Sequence, residues 1–268
     1  MHPLYQSSRP LVMGILNVTP DSFSDGGRYV AKSAAYEQAE QMVAAGADII
    51  DIGGESTRPG AQAVSAQQEL DRVIPVIEEV VRLGKPVSID TSKADVMTAA
   101  VRAGAAMIND VRALQEQEAL NAAVAAQVPV CLMHMQGQPR TMQTSPSYDD
   151  VVSEVIDFLA ERIQMCEAAG MKRDLISVDP GFGFGKTLQH NIALLRSLEQ
   201  FRPLQVPLLV GLSRKSMLGQ ITGREVEQRL AGSLAVALIA AIKQARILRV
   251  HDVAETSDVV KVFSTIYE

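Results

Sequence analysis

Tryptophan is absent from the sequence, and only two cysteines and four histidines occur among its 268 residues. Cys131 lies in a strand-like run and Cys166 in a helix-like run, with no CxxC spacing, which excludes a disulfide framework and suits a reducing, cytoplasmic setting. His2, His134, His190 and His251 are scattered, and no cluster has the ligand spacing of a zinc site. The longest apolar run, Leu230 to Ile242, is too short to span a bilayer and reads as a buried helix. The opening MHPLYQSSRP lacks the apolar centre of a secretory signal. With a net charge of -6, a pI near 5.3 and no basic stripe, nothing invites a nucleic-acid backbone or an anionic membrane surface.

What remains is a chain 47% hydrophobic and 21% charged, able to bury a sizeable core. Eight β-branched runs recur along it: LVMGILNV (11–18), ADIIDIGG (47–54), PVSIDT (86–91), AMIND (106–110), PVCLMH (129–134), LISVDPG (175–181), PLLVGLS (207–213) and ILRVHDV (247–253). Each is followed by a helical pattern, near 33–45, 66–83, 93–103, 116–127, 149–170, 188–200, 225–243 and 255–267. Ser65, Thr91 or Ser92, and Thr256 or Ser257 are placed to cap three of these helices. Alternation of this kind gives parallel strands with right-handed crossovers, and eight repeats predict a single-domain α/β protein, a closed (β/α)8 TIM barrel over 11–268 preceded by a ten-residue N-terminal extension. An open doubly wound sheet is the alternative.

Every run begins apolar and ends polar: Asn17, Asp51, Asp90, Asn109 with Asp110, His134, Asp179, Ser213 with Arg214 and Lys215, and Arg249 with His251. In a barrel these ends share the face where active sites are built. Asp51, Glu55, Asp110 and Asp252 are equally well explained as helix caps, and His134 as a satisfied polar residue. Asp90, Asn109 and Asp179, from three different strands, suit either an acid–base pair or the reading of a flat heterocycle, because a carboxylate accepts two parallel N–H donors. Lys215 adds a donor to such a ring, or else forms a buried ion pair with one of the acids. Arg249 and His251 alternate with Val250, so they face one side, where phosphate oxygens would suit them; Arg58 is a further phosphate candidate. A hard ion such as Mg²⁺ needs only one or two protein oxygens, and Asn17 and Asp25 could supply them.

Two motifs fail. PGFGFGKT (180–187) puts Pro180 where a P-loop needs its first glycine, and proline has no N–H for a phosphate. NVT at Asn17 matches a glycosylation sequon but ends a barrel strand. NVTPDSFSDGG (17–27) is too long and polar for a simple turn, and its single ring, Phe23, points to a loop that moves and binds.

MGILNVTPDSFSDGG, DIGGESTRPGA, SIDTSK, INDVRA, CLMHMQGQPRTMQ, DPGFGFGKT, GLSRKSMLG and RVHDV, in this order from about residue 11 to about residue 255, resemble the bacterial dihydropteroate synthases. That resemblance implies a barrel that condenses 6-hydroxymethyl-7,8-dihydropterin diphosphate with 4-aminobenzoate, giving 7,8-dihydropteroate and diphosphate. It implies that Asp90, Asn109, Asp179 and Lys215 contact the pterin, with Asp90, Asp179 and Lys215 carrying catalysis. Asn17, Arg249 and His251 match the diphosphate and Mg²⁺ region, with Asp25 as the second metal ligand. Phe23, Thr57, Arg58, Pro59, Lys215 and Ser216 match the aminobenzoate pocket, and the family-typical residues at Phe23, Thr57 and Pro59 imply sensitivity to sulfonamides. A homodimer is also implied, with the Leu230–Ile242 helix, apolar all round and expected to be buried on both sides, as an interface element. Two rivals share such acids: a methyltetrahydrofolate-binding methyltransferase that serves a corrinoid protein, and a non-catalytic pterin-binding subunit.

Overall fold

The computed structural model describes residues 2–19, 27–56, 63–137, 142 and 145–267, with 27–31 described by backbone alone. The eight apolar runs form β1 (Leu11–Asn17), β2 (Ile49–Gly53), β3 (Val87–Asp90), β4 (Met107–Asp110), β5 (Val130–Met133), β6 (Ile176–Asp179), β7 (Leu209–Val210) and β8 (Ile247–Val250). All pair in parallel in the order β6-β5-β4-β3-β2-β1-β8-β7. A parallel bridge between Val178 and Leu208 joins the two ends, so the sheet closes into a barrel and the open-sheet alternative is excluded.

Outside it run α1 (Gly27–Ala44), α2 (Ala66–Val80), α3 (Ala94–Arg102), α4 (Ala119–Ala126), α5 (Val151–Ala168), α6 (Leu188–Arg196), α7 (Ser216–Thr222), α8 (Leu230–Ile242) and α9 (Val253–Tyr267). Of the expected caps, Ser65 caps α2 in a reciprocal box with Gln68. Thr91 and Ser92 do not cap α3: Lys93 holds the cap position, Thr91 Oγ1 accepts from the Lys93 N–H, and the Ser92 hydroxyl donates to Asp110 instead. Thr256 and Ser257 lie buried inside α9, which starts at Val253. The helix expected at 225–243 starts as a short 3₁₀ turn, Val226–Gln228, with α8 proper beginning at Leu230.

Strand alternation sorts the core into two parts. Ile50, Ile52, Ile89, Ile108, Leu132, Val178 and Leu248 face outward against the helices. Met13, Ile49, Met107, Cys131, Leu209 and Ile247 face inward near the strand starts, where they pack with Leu11 and Tyr5. The N-terminal extension therefore plugs the barrel floor. Tyr5 is fully buried and donates to Ser177 Oγ at 3.2 Å, which suits burial worth about 1.5–3 kcal/mol for a large side chain. Arg9 makes a two-pronged pair with Asp48 at 2.7 and 2.8 Å, and Asp48 also accepts from the Val12 N–H.

The helix expected to be buried on both sides is buried on one. In the single chain α8 packs through Val236, Ala237, Ala240 and Ala241, while Leu238, Ile239 and Ile242 stay exposed.

Candidate active site at the barrel mouth

Two residues above the apolar floor, the inward positions turn polar. Asp51 follows Ile49 in the inward phase of β2, Asn109 follows Met107 on β4, and Arg249 follows Ile247 on β8. These three meet across the barrel: Asp51 Oδ2 accepts from Arg249 Nε at 2.6 Å and from Asn109 Nδ2 at 3.2 Å. Arg249 Nη2 also donates to Asp90 Oδ2 at 2.7 Å, so one guanidinium is divided between two carboxylates. A side-chain carbon built at Gly53 would lie 3.8 Å from Asp90 Oδ2 and 3.9 Å from Asn17 Oδ1, so Asp90 and Asn17 face a shared gap at the mouth.

On the opposite side Asp179 ends β6, buried, with Oδ1 accepting from the Gly181 N–H at 2.7 Å. The GFGFGK turn that follows is tied down at several points. Lys215 donates to the Phe182 carbonyl and lies 4.7 Å from the Phe184 ring centre. Asn191 Oδ1 accepts from the Gly183 N–H at 2.7 Å. Buried Lys186 donates to the carbonyls of Gly181 and Phe184 and to His134 Nδ1, at 2.9 to 3.0 Å. Only glycine fits at position 181, where φ is +69° and a Cβ would stand 1.8 Å from the His134 carbonyl oxygen. Lys186 thus turns inward as a clamp, in keeping with the failed P-loop match, and His134 is the satisfied polar residue expected.

Electrostatics follow from burial. Desolvation lifts the Asp90 carboxyl to about 7, against the pull of Arg249 and with a push from Asp51. It raises Asp179 as well, partly offset by Lys215. Lys215 is lowered to about 8 by the same burial, offset by Asp179, and Lys186 to about 7. Desolvation drives His134 down to about 3, so its imidazole is neutral and free to accept from Lys186. Among the described residues Lys215 makes no direct ion pair; its bond goes to the Phe182 carbonyl, within the field of Asp179.

The structure brings Asn17, Asp90, Asn109, Asp179, Lys215 and Arg249 to one mouth. His251 follows β8, with its N–H and Nδ1 each 3.2 Å from Ser213 Oγ. Ser216 opens α7 and lines a cavity of about 240 Å³ with Lys186, Thr187, Asn191 and Gln220. Phe23, Asp25, Thr57, Arg58 and Pro59 lie outside the described residues. The cap reading fails for Asp51, which pairs with Arg249, and for Glu55, which pairs with Lys93; Asp252 directly precedes α9, its carbonyl accepting from the Thr256 N–H while its side chain pairs with Arg214. Asp110 does hold a turn, accepting from the N–H groups of Arg112 and Leu114. Asp51 is the inward-facing acid that sequence reasoning undervalued, although its alternation with Ile49 and Gly53 was the available signal.

A closed eight-stranded barrel with carboxylates, an amide and cations gathered at the C-terminal ends of its strands defines a barrel enzyme of the (β/α)8 class. The chain belongs to the pterin binding enzyme family, whose model matches residues 13–251. It is 54% identical over 256 residues to the dihydropteroate synthase of Escherichia coli strain K12, covering 95% of this chain and 91% of that protein. The crystal structure of the Yersinia pestis dihydropteroate synthase with a sulfonamide drug complex superposes with a TM-score of 0.92 at 53% identity, covering 97% of this chain and 94% of that one. A Xanthomonas albilineans dihydropteroate synthase with 4-aminobenzoic acid gives the same TM-score and identity, covering 97% of this chain and 93% of that one.

Proposed function

We propose that this chain is a dihydropteroate synthase that joins 6-hydroxymethyl-7,8-dihydropterin diphosphate to 4-aminobenzoate. The convergence of Asp90, Asn109, Asp179, Lys215 and Arg249 on one barrel mouth, in a chain about half identical to dihydropteroate synthases along nearly its whole length, carries this reading. The aminopyrimidinone edge of the pterin presents adjacent N–H donors, and buried carboxylates at Asp90 and Asp179 accept them as they would a guanidinium. Asn109 offers both a donor and an acceptor to the same ring, and Lys215 donates to a ring oxygen or nitrogen.

The C–O bond between the methylene and diphosphate breaks, leaving a methylene cation conjugated with the pterin. Asp90 and Asp179 stabilise that charge in a site with little water. The aryl amine then forms the new C–N bond and loses a proton to the departing diphosphate or solvent, so no nucleophile of the protein enters the reaction. Arg249, with His251 beside it, offsets the charge of the leaving group. Asn17 offers an amide oxygen at the mouth, a hard donor of the kind Mg²⁺ accepts beside substrate phosphate. When bound there, the ion would neutralise the diphosphate. Phe23, Thr57, Arg58, Pro59, Lys215 and Ser216 are assigned to the aminobenzoate pocket.

Purified protein with Mg²⁺ should release diphosphate only when both substrates are present, and a sulfonamide should compete with 4-aminobenzoate. Pterin binding without any condensation would favour the non-catalytic subunit, and methyl transfer from methyltetrahydrofolate to a corrinoid protein would favour the methyltransferase.

The reading extends to a cytoplasmic homodimer. Free, buried Cys131 and Cys166 suit a reducing compartment, and no helix among the described residues is long and apolar enough to cross a membrane. Leu238, Ile239 and Ile242 on α8 and Val262 and Ile266 on the neighbouring α9 expose apolar surface that a second copy would cover. Light scattering at micromolar concentration should give twice the 28.9 kDa chain mass, falling to the single mass in Ile239→Glu; a wild-type monomer would count against the dimer.

A further inference from the structure

We propose that Asp51 is a positioning residue: from inside the barrel it holds the Arg249 guanidinium and the Asn109 amide, so that Asp90 remains available to substrate. This rests on the function proposed above.

Asp51 is fully buried, and one of its oxygens takes hydrogen bonds from two different strands, from Arg249 Nε on β8 and Asn109 Nδ2 on β4. Its other oxygen, Oδ1, is buried without a partner among the described residues. An acid placed for stability alone would be poorly chosen here, because a buried ion pair often gives no more stability than apolar side chains of the same volume. The charge is explained by what it does to Arg249. Facing a single carboxylate, a guanidinium forms a two-pronged pair that occupies both oxygens. Here the fork is split, with Nε on Asp51 and Nη2 on Asp90, so Asp90 is held through one oxygen only. A pterin edge that recruits Asp90 therefore displaces one hydrogen bond and leaves Arg249 still anchored to Asp51 through Nε, with Nη2 released for the diphosphate. The same oxygen takes one hydrogen of the Asn109 amide nitrogen, which fixes how the remaining N–H and the carbonyl oxygen are presented to the ring.

Asp51→Asn keeps the volume and one acceptor but removes the charge, and Arg249 is then expected to close on Asp90. Equilibrium titration with the pterin diphosphate should show binding weakened about ten- to a hundred-fold, the scale of a lost charge-assisted hydrogen bond, with the KM for 4-aminobenzoate changed by less than about two-fold. The deciding comparison is with Arg249→Gln. Because the charge acts through the arginine and the asparagine keeps an acceptor for the Asn109 amide, the double variant Asp51→Asn/Arg249→Gln should bind the pterin diphosphate no more weakly than Arg249→Gln alone. The double variant leaves only Asp90 without its cation, whereas Arg249→Gln alone strands both Asp51 and Asp90, so the double variant is the less destabilised of the two; a thermal melt of each shows that both fold, and their comparison stands without the single Asp51 variant. Wild-type affinity in Asp51→Asn, or a further drop when it is added to Arg249→Gln, would overturn the assignment. A wild-type protein that fails to condense the two substrates would instead refute the proposed function.

Discussion

Asp179→Asn should lower kcat by about a thousand-fold while the barrel stays folded. Asparagine matches aspartate in size and keeps a carbonyl oxygen for the Gly181 N–H, now 2.7 Å from Oδ1, so the turn after β6 survives. What disappears is the negative charge facing Lys215 and Arg249. The amide also brings an N–H₂ group to a position meant to accept from ring N–H groups, so the pterin meets donor against donor. Both losses fall on the step in which the methylene becomes cationic, where charge stabilisation in a desolvated site is worth most. Asp90→Asn should act in the same direction, and it also deprives Arg249 of its 2.7 Å partner. The check is steady-state turnover with both substrates beside a thermal melt. Turnover within about ten-fold of wild type in either variant would sink the charge-stabilisation role.

The strands and their polar ends were legible because period-2 burial and β-branched composition act locally. Helix α7 was not: SMLGQIT is only seven residues, contains Gly219, and follows Lys215, whose side chain makes no cap bond. It is held by tertiary packing against α6 and α8, which no window of seven residues encodes. The run at 207–213 overstated β7, which pairs with β8 only through Leu209 and Val210, with Leu208 bridging to Val178, before the chain turns toward Lys215. The clamp role of Lys186 was invisible for a similar reason, since its partner His134 lies 52 positions away in sequence. Asp51 is a different case. A helix cap and an inward barrel residue look alike in composition, and only the alternation of β2, followed from Ile49 to Gly53, separates them.

The fold itself should be sensitive to a lysine next to the site. Lys93→Met is expected to destabilise the protein by about 3–5 kcal/mol, because it strands a buried acid. Glu69, in the first turn of α2, has no exposed surface, and Lys93 Nζ is 2.5 Å from its Oε2 while Oε1 has no partner among the described residues. Lys93 reaches Glu55 as well, and Glu55 Oε1 accepts from the Val64 N–H at 3.2 Å. The hydrogen bonds to Glu55 and Glu69 outweigh the burial that would lower the amine's pKa, leaving it raised. Glu55 is partly exposed and can turn to water, so its loss costs little. Glu69 cannot, and the whole penalty falls there. For a chain of this size the melting temperature should fall by roughly 6–15 °C. Lys93→Met/Glu69→Leu replaces the buried pair with apolar side chains and should recover most of that loss, since two matched apolar groups need no counter-charge. A single variant within about 1 kcal/mol of wild type, or a double variant no more stable than the single one, would show that Glu69 finds its compensation elsewhere.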